Sequence, residues 1–404
     1  MSDLALLQAM ESVESAWLSA LVDSEIAPPS ARHPVRGLVG PDDIEGLGRG
    51  AESGGNPVIG LVALLRDRLG DTDAARWLHR GLTSQDVVDT ALVLCLRDTL
   101  YEVGGQLDAQ VQTLMALVEA HRHTAMVGRT LTQHAVPTVF GLKAATWLTG
   151  VLDSEETVHA VRPRLAVQLG GAVGTMAAAT ELARLQGADD APGTAWRLVS
   201  ATAAALGLSA RTPWHTTRAP ITAAGDALVS CTDAWGHVAA DVATLSRPEI
   251  AELAEGRGGG SSTMPGKRNP TLSVLVRRAA LAGPPLAATL HLAAATTVDE
   301  RPDGAWHAEW AALRDLGRRT VVAGSQTTDL LAELQVDADR MRVTLESAVG
   351  SDAEQRSMAE LVGGTPSGSY LGITDLIIDT ALQRARTSRP RGPARTGSAP
   401  EETT

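Results

Sequence analysis

Residues 258–270 read GGGSSTMPGKRNP: a glycine run leads into two adjacent serines, Ser261 and Ser262, followed by Lys267 and Asn269, in a chain that otherwise has the spacing of helices. Glycine takes positive φ without steric cost but loses the most entropy on ordering, so such a run suits a segment that moves or lies close to a ligand. Met264-Pro265 and Asn269-Pro270 argue against a free linker, because two prolines fix the path and the second opens a new helical run, TLSVLVRRAALA. A serine is a weak base unless its oxyanion is stabilised, and here Lys267, Asn269 and neighbouring backbone N–H groups could supply that stabilisation within one loop. No His or Asp stands in a nucleophile-elbow setting, so the pattern points to carbanion chemistry rather than acyl transfer. A Walker-type phosphate loop is excluded, since Ser261 stands five before Gly266 and Arg268 follows the lysine. A dinucleotide fingerprint is excluded too: Ser261 or Thr263 occupies the place of its third glycine, and no strand-like run precedes it.

Outward from this loop, residues 138–160, 172–186, 221–246 and 271–298 are long runs rich in Ala, Leu and Val, without the alternation of strands. The expected fold is all-α, a bundle of long helices, with a small N-terminal helical domain over 1–82 and the central bundle over 83–330. A shortened C-terminal helical region follows over 331–383, then a disordered tail over 384–404, where arginines, prolines and small polar residues carry no apolar period. Thr83 with Asp86 fits a capping box that opens a long helical stretch, and Val88, Ala91, Leu92, Cys95 and Leu96 keep its period. Breaks are expected at Gly104-Gly105, at Gly170-Gly171, in GADDAPG and around PWHTTRAP. Helices this apolar commonly bury themselves against other subunits, so an oligomer is expected.

The chain has 404 residues, 44% of them apolar and 20% charged, with a net charge of −12. That balance argues against a nucleic-acid or anionic-membrane surface, so an anionic substrate must be met by a local cluster of Arg and Lys. No apolar run approaches the roughly 20 residues that span a bilayer, and the acidic start MSDLALLQAMESVES is unlike a basic signal segment, so a cytoplasmic protein is expected. Cys95 and Cys231 lie in apolar helical contexts and read as buried thiols rather than a disulfide or metal pair.

The run GSSTMPGKRNP resembles the GSSxMPxKxNP signature of the fumarase/aspartase superfamily, a long and specific motif. The resemblance implies that Ser261 is the base that removes the proton next to a carboxylate, beside Ser262, with Lys267 and Asn269 holding the substrate and the developing enediolate. It also implies active sites built where segments of three subunits of a homotetramer meet, a small polycarboxylate substrate, and no metal or organic cofactor.

Four further clusters take their meaning from this resemblance. HRGLTSQDVVDTA, residues 79–91, resembles the TSxD region of the family, with His79, Thr83, Ser84 and Asp86 in matching positions; the alternative is that Thr83 and Ser84 are only helix caps. GRTLTQHAVPTVFGLK, residues 128–143, carries Leu131 where adenylosuccinate lyases have the histidine proposed as general acid, and a leucine cannot donate a proton. Its Arg129, Thr130, Gln133 and His134 instead resemble the 3-carboxy-cis,cis-muconate cycloisomerase branch, which makes His134 a candidate acid or binder unless it is a satisfied structural histidine. PWHTTR (213–218) and ERPDGAWHAEW (300–310) are similar to the same branch, with Trp214, His215, Arg218, Arg301, Trp306 and Trp310 matching. Arg forks suit bidentate carboxylate clamping. QLGGAVGTMAA (168–178) fits as well.

The resemblance covers about residues 5–345, with a short echo at SYLGITDLIIDTALQRA (369–385). The N-terminus is shorter than is usual in the family, Gly266 stands where the cycloisomerase branch commonly has histidine, and most of the C-terminal helical domain is missing between Leu345 and Ser369. The expected activity is interconversion of 3-carboxy-cis,cis-muconate and 4-carboxymuconolactone through a serine base and an enediolate-like intermediate. The alternatives are a fumarate-releasing lyase acting on an adenylosuccinate-like or nitrosuccinate-like substituted succinate, and a non-catalytic structural member.

Overall fold

The computed structural model describes residues 1–388. Helix α1 (Asp3–Asp23) starts on Ser2, whose hydroxyl oxygen accepts the Ala5 N–H, and buries Leu7, Met10, Trp17 and Leu21. Three shorter helices follow: α2 (Ile44–Gly54), α3 (Val58–Leu69) and α4 (Asp73–Trp77), the last capped by Thr72. Helix α5 (Ser84–Ala120) then runs for 37 residues. The Thr83 N–H donates to Asp86 Oδ2 at 3.0 Å, so one half of the expected capping box is made. The break expected at Gly104-Gly105 is absent, because both glycines lie inside α5. Two glycines cost a helix about 2 kcal/mol in propensity, and burial of Leu100, Val103 and Leu107 around them offsets it.

After α5 the chain forms a hairpin that was not among the expected elements: β1 (Ala125–Thr130) pairs antiparallel with β2 (Gln133–Val139), in register Arg129 to His134 and Thr130 to Gln133. The remaining elements are α6 (Phe140–Val161), α7 (Ala177–Leu185), α8 (Ala191–Leu206), α9 (Ala219–Leu245), β3 (Leu253–Ala254), α10 (Thr271–Ala295), α11 (Gly304–Ala332), β4 (Gln335–Val336), α12 (Ala338–Ser347), α13 (Ala353–Leu361) and α14 (Thr374–Thr387). The fold is all-α apart from these short strand pairs. The run expected to be helical from 172 is so only from Ala177. Helix α14 continues to Thr387, with Ile378, Ala381, Leu382 and Ala385 buried at helical spacing, so residues 384–387 are helix rather than tail; residues 389–404 lie outside the described residues.

Packing divides the chain into two compact units, neither a single run of sequence: Met1–Leu107 with Ser154–Ala239 and Ser273–Thr327, and Asp108–Asp153 with Ala240–Leu272 and the chain from Thr328 onward. In the first, Trp17, Trp214, Trp235, Leu61, Leu65 and Leu92 are fully buried, and α8 packs on both α1 and α7. In the second, Phe140 meets Trp147 edge to face at 5.7 Å between ring centres, and β1 packs on α12. Among the described residues no helix is long and apolar enough to cross a membrane.

Candidate active site

In the second unit, the loop after β3 closes on itself at its neck. Gly259 and Asn269 exchange both backbone hydrogen bonds, at 2.8 and 2.7 Å, and Asn269 Nδ2 donates to the Gly260 carbonyl at 3.1 Å. Glu255 anchors the far side, its Oε2 accepting the Leu272 N–H at 3.0 Å. Gly259 is obligatory here, since a Cβ on it would lie 2.0 Å from Thr271 Oγ1. The loop it holds is exposed from Ser262 to Arg268.

At the tip, Ser261 Oγ accepts two backbone N–H groups, from Met264 at 3.1 Å and from Thr263 at 3.3 Å. Hydrogen bonds of this kind stabilise negative charge on oxygen more than they stabilise a neutral hydroxyl, so the turn suits a serine that acts as alkoxide. The Lys267 ammonium makes no hydrogen bond or ion pair among the described residues and stands in solvent three to six residues from these groups in the same loop. Asn269 is committed to the neck, so its expected contact with substrate would require Nδ2 to leave Gly260.

The hairpin supplies the second part of this unit's chemistry. A register irregularity between Val127 and Arg129 re-aims the Arg129 side chain, as bulges beside sites often do. Its guanidinium makes a bidentate pair with Glu252, with Nη2 to Oε1 at 2.6 Å and Nη1 to Oε2 at 2.9 Å, and the Glu252 carboxylate is fully buried. Glu252 thus takes two of the five N–H donors of Arg129, and the others remain for a substrate carboxylate. Leu131 and Thr132 form the two-residue turn, at φ 48° and 70°. Leu131 is 95% exposed, and Thr130, Gln133 and His134 are exposed as well. His134 makes no side-chain bond among the described residues, which removes the satisfied structural histidine as its reading.

In the first unit, Asp86 organises the segments named from sequence. Its Oδ1 accepts the Gly170 N–H at 2.9 Å, Gln168 Nε2 at 3.2 Å and His215 Nε2 at 3.1 Å, while Oδ2 accepts the Gly171 and Thr83 N–H groups at 2.9 and 3.0 Å. A buried carboxylate with this many donors is fully satisfied and ties α5 to the two glycine turns. Gly170 is needed because a Cβ there would sit 2.6 Å from the His215 ring. Among the described residues the hydroxyls of Thr83 and Ser84, half-buried at the start of α5, have no hydrogen-bond partner, so neither acts as a side-chain cap.

Arg218 lies one helical turn deeper. Its guanidinium contacts Asp89 through Nη1 and Nη2 at 2.7 and 3.0 Å and Glu309 through Nη2 and Nε at 2.6 and 3.0 Å, and Nη1 also reaches the His215 carbonyl at 3.2 Å. Its side chain is fully buried. Burial works against the charge, yet Asp89 and Glu309 outweigh it and hold the guanidinium protonated well above the usual arginine range. This corrects the clamp expected at Arg218, because none of its N–H groups is left for a substrate. Trp306 Nε1 donates to Asp89 Oδ1 at 2.8 Å, and Trp214 stacks on Arg218, so both tryptophans serve this buried network. His215, 4% exposed, belongs to it too. Arg301, half-buried before α11, makes no hydrogen bond or ion pair among the described residues and remains an open cation.

Asp89, Glu252 and Glu309 were not named from the sequence. Asp86 and Asp89, three apart in the run DVVDTALVL, carried a signal of paired buried charge; Glu252, in IAELAE, carried none.

A family model described as lyase matches residues 45–282. The chain is 42% identical to a nitrosuccinate lyase of Streptomyces davaonensis, over 86% of this chain and 76% of that protein. It is 37% identical to a 3-carboxy-cis,cis-muconate cycloisomerase of Bradyrhizobium diazoefficiens, over 89% and 80%. Among solved structures, the 3-carboxy-cis,cis-muconate lactonizing enzyme of Pseudomonas putida superposes with a TM-score of 0.81 at 30% identity, covering 96% of each chain.

Proposed function

Because the chain belongs to the lyase family of the fumarase/aspartase superfamily, a family of enzymes, we propose that it eliminates an anion from a substituted succinate and releases fumarate, with nitrosuccinate as the preferred substrate. The observation that carries this reading is the pair of backbone N–H groups on Ser261 Oγ. As alkoxide, Ser261 takes the proton from the carbon next to one carboxylate. The C–H electrons delocalise into that carboxylate as an enediolate, which Lys267 neutralises. They then form the C=C bond as the C–N bond breaks and nitrite leaves with its electron pair.

Leu131 narrows the leaving group. A side chain without a proton donor stands where the related adenylosuccinate lyases carry a histidine, so the departing group must be stable as an anion. Nitrite meets that condition; an amine does not. Substrate carboxylates are met by Lys267, Arg301, His79 and His134, contributed by different subunits, rather than by Arg218, whose N–H groups are all taken. Ser262, Thr83, Ser84, Thr130 and Gln133 offer hydroxyl and amide contacts. The active enzyme is proposed to be a cytoplasmic homotetramer with shared sites, which the exposed Leu281 and Leu292 on α10 support.

A second reading, the muconate cycloisomerase, is favoured by the Pseudomonas putida likeness and by the same logic at Leu131, since the group expelled on opening 4-carboxymuconolactone is a carboxylate. Incubation with nitrosuccinate and, separately, with 3-carboxy-cis,cis-muconate distinguishes them. Equal amounts of fumarate and nitrite are expected from the first. Loss of muconate absorbance without nitrite release selects the second, and inertness toward both overturns the proposal.

A further inference from the structure

His79 sits in a turn that is fixed from both sides. The carbonyl before it, of Leu78, accepts Arg66 Nη2 from α3 at 2.9 Å, and the carbonyl after it, of Arg80, accepts Trp17 Nε1 from α1 at 2.7 Å. Between these clamps His79 takes φ 65°, a left-handed conformation that is uncommon outside glycine and persists only where the surroundings over-determine it. The imidazole is fixed as well. Its Nδ1 lies 2.6 Å from Oε1 of Glu14 on α1, whose carboxylate is fully buried. Glu14 Oε2 is buried with no partner among the described residues, as is Arg66 Nε, so this corner carries charge that packing alone does not require.

We propose that Glu14 is a positioning residue of the active site: its carboxylate accepts the Nδ1–H of His79 and so aims Nε2 outward, where a ring carrying a proton on each nitrogen is a charge-assisted donor to one carboxylate of a bound dicarboxylate. His79 Nε2 has no partner among the described residues, and the side chain is 19% exposed. The ring stands one turn before Thr83 and Ser84, where the free N–H groups at the start of α5 favour an anion. The charged groups around the ring are the Glu14 carboxylate from α1, the Arg66 guanidinium from α3 and Arg80 on the same turn. A buried carboxylate against the inner nitrogen fixes the proton on Nδ1 and the plane of the ring, as outer partners of functional histidines do. The choice of a dicarboxylate rests on the elimination reading; the pair itself does not.

The test is binding of succinate, a non-reacting dianion, to the full chain, with ring-nitrogen NMR of ¹⁵N-histidine protein. His79→Asn preserves the fold, because the asparagine amide can still donate to Glu14 and asparagine tolerates positive φ, while it deletes Nε2. Succinate binding is expected to weaken about ten- to a hundredfold in His79→Asn, the loss of one hydrogen bond to a charged group. In the isosteric Glu14→Gln variant the Nδ1-protonated signature of His79 is expected to change and binding to weaken likewise. Wild-type succinate affinity in His79→Asn, or an unchanged His79 signature in Glu14→Gln, overturns the proposal. Because no turnover is read, failure of the elimination reading leaves this result interpretable.

Discussion

Asp89 and Arg218 meet with both side chains out of water, Nη1 to Oδ2 at 2.7 Å and Nη2 to Oδ1 at 3.0 Å. Glu309 completes the guanidinium's set, so one cation sits between two carboxylates that α5 and α11 bring from distant parts of the sequence. Such a group is poorly suited to binding substrate but well suited to setting where the N-terminal turn of α5 and the 213–218 segment stand. Arginines that face substrate must be sought elsewhere, and Arg301, without a hydrogen bond or ion pair among the described residues, is one that is open.

Breaking this triad is expected to be costly. Arg218→Lys supplies one ammonium where five N–H donors are needed and leaves part of two buried carboxylates unpaired, so a loss of about 3–5 kcal/mol of stability is expected. Urea unfolding of the variant against wild type measures it. A loss below 1 kcal/mol would show that the network is solvated and the burial argument misplaced.

The two thiols make a chemical prediction. Burial pushes Cys231 up to about 12, and burial likewise raises Cys95. Both are expected to resist a thiol reagent at pH 8 in the native protein and to react fully in denaturant. The folded value of Cys231 exceeds its unfolded one, so its contribution to stability is whole below about pH 8.5, the ordinary thiol value, and is lost as pH rises toward 12. A urea midpoint that falls between pH 9 and 11 more in wild type than in Cys231→Ala is the expected sign.

Much of this was legible in the sequence and some was not, for identifiable reasons. The helices were legible because their apolar period is strong, and the 258–270 loop because its glycines and prolines have few other uses. The partners of Arg129 and Arg218 were not legible because sequence shows a guanidinium but not what it meets: Glu252 lies 123 residues from the first and Asp89 lies 129 from the second. The hairpin was missed because β1 and β2 are short, and their turn, Leu131-Thr132, lacks the asparagine and glycine that mark such turns. The Gly104-Gly105 break was overcalled because local propensity says nothing of the tertiary burial on either side.

That unusual turn is itself testable. Leu131 and Thr132 both hold positive φ, where side chains are strained, and Leu131 gains nothing from packing at 95% exposure. Replacing the pair by Asn-Gly is expected to raise stability by about 1 kcal/mol, measured by denaturant unfolding. Turnover should stay within about threefold if position 131 gives no proton to the leaving group. A collapse of turnover with stability gained would instead assign the leucine a contact with substrate.

Ser261 separates chemistry from structure most cleanly. Among the described residues its Oγ has only the Thr263 and Met264 N–H groups as partners, in a loop exposed from the next residue onward, so Ser261→Ala removes no core contact. Stability is expected to change by no more than about 0.5 kcal/mol. As the base, the same hydroxyl is worth about 10²–10⁴ in rate, so kcat should fall by that factor while KM moves little, because the carboxylates are held by other residues. A deuterium label at the carbon next to the carboxylate adds a second reading: wild type should lose it to solvent, and the variant should retain it over the same time. If the alanine variant turns over within tenfold of wild type, another group takes the proton, and the two N–H groups on Ser261 serve only to shape the loop.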